Sequence, residues 1–65
     1  LGRLQRLALE AMGLDEAATP DMVRARYAEL VKRYHPDSNG GDRAAEAQLQ
    51  KVLRAYQTLK SAKLA

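Results

Sequence analysis

Leu4, Leu7, Ala8, Ala11 and Met12 recur at i, i+3, i+4, i+7 and i+8, a spacing that lays one apolar stripe along a helix. Gly13 ends that helix. With Met12 as C-cap, the glycine takes the left-handed backbone position and Leu14 folds back on Leu9; Asp15 to Ala18 form a short connector. Thr19-Pro20-Asp21 starts a second helix, the threonine hydroxyl capping, the proline preset at the first helical position and the aspartate at the positive pole. Its apolar stripe is Val23, Tyr27, Leu30, Val31 and Tyr34, with Arg24, Arg26, Lys32 and Arg33 on the flanks and Ala25, Ala28 and Glu29 outward. Glu29 and Arg33 make an i, i+4 pair worth about 0.2–0.5 kcal/mol. Pro36 disfavours the helical conformation at His35, so the helix finishes near Tyr34. The run from His35 to Gly41 is dense in turn formers, and Asp42 caps a third helix. That helix carries Ala45, Leu49, Val52, Tyr56 and Leu59 on one stripe, with Leu53 and Ala55 beside it and Lys60 and Lys63 near its negative pole. After Leu59 the pattern fades into Ser61 to Ala65.

These segments predict an all-α fold. The second and third helices form an antiparallel hairpin whose facing stripes bury each other, and the short first helix packs across it. No strand is expected, because the β-branched residues are only Thr19, Val23, Val31, Val52 and Thr58. The 65 residues make a single domain, 1–65, with no internal repeat; the leading leucine suggests a segment excised from a longer protein. A core of this size supplies roughly 3–5 kcal/mol, so stability is marginal. No apolar run approaches the ~20 residues that span a bilayer and no apolar signal segment opens the chain. The expectation is a cytoplasmic monomer with no membrane contact by this segment.

The chain has no cysteine, one histidine and a net charge of +3. A zinc set needs three or four suitable ligands, so no metal site and no cofactor are expected. His35, Asp37 and Ser38 supply the residue types of a nucleophilic triad, but crowded into one surface loop they cannot line up in hydrogen-bonded order, and a narrow helical hairpin offers little concavity for substrate. No catalytic residue is assigned. Asn39-Gly40-Gly41-Asp42 lacks the lysine and hydroxyl of a phosphate loop and follows no strand. A DNA-binding helix-turn-helix joins its helices by a turn of 3–4 residues; here the connection is longer, and Asp37 and Asp42 would repel phosphate. No nucleic-acid partner is expected.

His35-Pro36-Asp37 remains. Proline stiffens the backbone between an imidazole and an acceptor-only carboxylate at the tip of the hairpin, beside the basic flank of Arg24, Lys32 and Arg33. Such a group suits a protein surface that carries an arginine beside acidic side chains. The stretch from Tyr27 through Tyr34-His35-Pro36-Asp37-Ser38-Asn39, followed by Ala55-Tyr56-Gln57-Thr58-Leu59, resembles the J domain of DnaJ-type co-chaperones: its second helix, signature tripeptide and third helix. Met12-Gly13-Leu14 resembles the end of that family's first helix, so the resemblance covers nearly the whole chain.

The resemblance implies a domain that docks on an ATP-loaded DnaK-type chaperone and stimulates its ATP hydrolysis, the catalytic residues belonging to the partner. Asp37 would engage an arginine of the partner, His35 and Pro36 would hold the loop against it, and Arg24, Lys32 and Arg33 would meet an acidic surface. Ala28-Glu29 stands where the family usually has a basic pair, Leu49 where phenylalanine is common, and Leu7-Ala8-Leu9 where an Asp-Tyr-Tyr type start is usual. Ser61 to Ala65 lacks the family's basic final helix, which is therefore short or absent. Arg26, Arg43, Lys51, Arg54 and Lys60 are read as solvated. The alternatives are a degenerate interaction module that keeps the fold without stimulating ATP hydrolysis, and, behind it, a basic helical DNA-binding domain.

Overall fold

Local signals place the helix boundaries. A computed structural model describes residues 2–35, 37 and 40–65, and in it three helices follow in order: α1 (Arg3–Ala11), α2 (Pro20–Tyr34) and α3 (Arg43–Ser61). The Thr19 hydroxyl accepts the Met22 backbone N–H at 3.2 Å, satisfying one of the donors a helix start leaves open. Asp42 does the same for α3, accepting from the Ala44 N–H at 2.9 Å. Among the described residues there is no strand.

α1 ends as Gly13 predicts. The Gly13 N–H donates to the Glu10 carbonyl at 2.9 Å and the Leu14 N–H to the Leu9 carbonyl at 2.8 Å, the paired bonds of a Schellman ending, with Gly13 at φ +72°. α3 closes on the same pair of bonds: Lys63 N–H to Lys60 carbonyl at 3.0 Å and Leu64 N–H to Leu59 carbonyl at 2.8 Å. Here the left-handed residue is Lys63, at φ +62°, which carries the Cβ clash that glycine avoids. No helix forms over residues 62–65; Leu64 and Ala65 turn back onto the core instead.

α1 and α2 both pack on α3. The core joins Ala8, Leu9 and Met12 of the first segment to Val23 and Leu30 of α2 and to Val52, Ala55 and Leu59 of α3. Tyr27 and Tyr56 stack across the hairpin with centroids 4.0 Å apart and planes at 12°. Tyr34, Leu14 and Ala18 are half-buried around this centre.

The α1 stripe differs from its sequence reading. Ala8 and Met12 are buried, but Leu4 and Leu7 are 68% and 52% exposed, Ala11 is exposed, and Leu9 lies inside at 3%. The buried arc is Ala8, Leu9 and Met12 because the Schellman turn ties Leu14 to Leu9 and turns that side of the helix toward α3. Leu4 and Leu7 share a flank with no helix laid over it.

Candidate partner-docking site

His35 closes α2 with φ −63° and ψ 134°, the extended backbone that a residue before proline prefers. Its imidazole folds over the loop: Nδ1 accepts the Asp37 backbone N–H at 3.2 Å. An Nδ1 that accepts leaves the proton of the neutral ring on Nε2. The same Nδ1 lies 3.8 Å from Asp37 Oδ2, and the Asp37 side chain is 94% exposed against 49% for His35. The ring thus braces the backbone beneath a carboxylate that faces solvent. Pro36, the middle residue of the predicted tripeptide, lies outside the described residues, as do Ser38 and Asn39. Beyond them Gly40 and Gly41 adopt φ +60° and +77°, conformations open to glycine, and carry the chain into the Asp42 cap.

The predicted basic residues are not gathered on one face. Arg24 and Arg33 are nine positions apart, about half a revolution around a helix of 3.6 residues per turn and about 13.5 Å along it. Arg24 pairs with Asp21 on the first turns of α2. Lys32 and Arg33 lie at the other end, where they line an open hollow with Arg26, Glu29 and Leu30.

Arg26 is the residue that sequence reasoning missed. Read as solvated, it is half-buried: its Nε approaches Glu29 Oε2 at 3.6 Å, and a guanidinium nitrogen lies 3.5 Å from where a Cβ on Gly13 would stand. The available signal was its spacing, since Arg26, Glu29 and Arg33 follow one another at i, i+3 and i+7 and so share a face.

The family model of the DnaJ domain matches residues 8–64. The chain belongs to the DnaJ-domain family. Among its relatives, an uncharacterized 19.0 kDa protein in the cobS 5′ region of a Sinorhizobium species is 47% identical over 62 residues, which are 95% of this chain and 36% of that protein. The chaperone protein DnaJ of Acetivibrio thermocellus is 42% identical over 50 residues, 77% of this chain and 13% of the relative. A J domain-containing protein of Manduca sexta is 44% identical over 48 residues, 74% and 28% of the two chains. The DnaJ domain described here therefore spans a minor part of the length of these relatives. No solved structure matches it.

The loop presents one carboxylate beside a braced imidazole, and α2 presents cations. Among the described residues no group of three or more His, Cys, Asp or Glu side chains converges as a metal site, and no helix is long and apolar enough to cross a membrane.

Proposed function

We propose that this DnaJ domain docks on a DnaK-type ATP-dependent chaperone and stimulates its ATP hydrolysis through the His35-Pro36-Asp37 loop. The observation that carries the reading is the arrangement of Asp37: a carboxylate 94% exposed, on a backbone whose N–H is held by the His35 ring. A carboxylate fixed this way accepts two parallel hydrogen bonds from a guanidinium without first ordering its own backbone, so more of the bond reaches the complex as affinity. His35 acts as a positioning residue under Asp37. The cations of α2 meet an acidic surface of the chaperone, which speeds encounter and fixes orientation more than it holds the complex. The catalytic groups are the chaperone's own.

The test is single-turnover ATP hydrolysis by a DnaK-type chaperone from the same source, with and without the domain, beside the His35→Gln variant. Acceleration by the wild type and none by the variant is the expected result. No acceleration by either, with the domain shown folded by its helical circular dichroism, sinks the reading and leaves a docking module that keeps the fold alone.

A further inference from the structure

Around α2, the face turned away from the core carries Met22, Ala25, Arg26, Glu29, Lys32 and Arg33 within one arc of the helix. Two hollows open on that arc and share a pair of residues. One is lined by Leu14, Met22, Ala25, Arg26 and Glu29; the other by Arg26, Glu29, Leu30, Lys32 and Arg33. Met22 is 49% exposed, so the first half offers apolar contact. The second half offers cations. On the line between them stands Glu29, its side chain 73% exposed beside Arg26 at 3.6 Å.

Glu29 is out of place on a surface meant for a uniformly acidic partner. A carboxylate brought against it would be repelled, and like charges in an interface cost what neighbouring opposite charges gain. A partner with carboxylates opposite Lys32 and Arg33, a Lys or Arg opposite Glu29, and an apolar side chain over Met22 meets every group with its complement. Specificity of this kind comes from the repulsive element as much as from the attractive ones.

We propose that the outward face of α2 is a two-part docking surface on which Glu29 selects the partner, by accepting a cation from a chaperone surface that is otherwise acidic. The inference rests on the docking reading above and adds to it which chaperone surfaces fit. Arg26 is the positioning residue: its Nε, 3.6 Å from Glu29 Oε2, keeps the carboxylate at the boundary between the two halves.

The experiment measures the concentration of domain that gives half-maximal stimulation of single-turnover ATP hydrolysis, for the wild type, Glu29→Gln, Arg26→Gln and the double variant. Exposed charge contacts are worth up to about 1 kcal/mol, so Glu29→Gln raises that concentration about 2–5-fold and leaves the maximal rate unchanged. The same rise in the Arg26→Gln background separates a direct contact of Glu29 from one made through Arg26. Unchanged or tighter docking by Glu29→Gln overturns the selective role while leaving the docking reading in place. If the wild type stimulates no better than His35→Gln, both fall together.

Discussion

Asp37 and Asp42 are carboxylates of one loop with different work. Asp42 spends its side chain on the Ala44 N–H, and α3 starts there; the Asp37 side chain is 94% exposed, with only the His35 ring near it among the described residues. Asp37→Asn should therefore leave thermal unfolding where it is, since exposed substitutions away from caps and cores stay within about 0.5 kcal/mol. Stimulation of the chaperone should be lost, because the amide has one acceptor where the carboxylate has two and no charge to meet a guanidinium. A melting curve paired with the ATPase assay checks both halves. Lys63 poses the opposite case, a strained residue outside that loop. Its φ of +62° sits at the position that glycine fills at the end of α1, so Lys63→Gly should stabilise the domain by up to about 1 kcal/mol. Urea unfolding at equal slope reads that gain. Tripeptide, caps and glycine ending were legible in the sequence because each depends on residues within about four positions of itself.

At the scale of the element, α2 and α3 bury the stripes their spacing predicts, and α1 does not. Val23 and Leu30 are inside, Tyr27 and Tyr34 pack against the core and Val31 is half-buried; Ala45, Val52 and Leu59 are buried on α3. α1 has apolar residues on more than one arc, and spacing selects Leu4 and Leu7 as readily as Leu9. The Schellman contact of Leu14 with Leu9 already pointed to the arc that is buried. Leu9→Ala should cost about 2–5 kcal/mol as a cavity in the core, whereas Leu4→Ala should change stability by less than about 0.5 kcal/mol. Denaturant midpoints for the two variants separate these outcomes, and equal losses would mean that α1 packs the other way. The same limit applies to the cations of α2. Their identities and spacing were visible, but the approach of the Arg26 guanidinium to the space beside Gly13 brings the middle of α2 near the α1 ending, and no local pattern announces it.

For the whole molecule, α3 is the shared support: α1 and α2 both rest on it, and Leu59 is fully buried where they converge. A domain of this size holds only roughly 3–5 kcal/mol in reserve. Leu59→Ala, at about 2–5 kcal/mol, should therefore unfold much of the population at 25 °C, seen as a parallel loss of helical and tyrosine circular dichroism. Retained helicity with the tyrosine signal gone would mean instead that the helices outlast their packing. Charge is also unevenly shared at this scale: residues 1–41 hold six Lys or Arg and six Asp or Glu, while residues 42–65 hold five and two. The proposed docking face on α2 therefore lies in the half without net charge, and its polarity comes from arrangement rather than excess. By itself the sequence determined three helices, their ends, the hairpin and the family, because hydrophobic period, capping side chains and proline or glycine stops act over one or two turns. Only the tertiary structure decided which arc of α1 is covered and that Arg26 and Glu29 stand where the two hollows on the outward face of α2 meet. Exposure and side-chain partnership are properties of what the neighbouring element presents, and one element's spacing does not contain its neighbour.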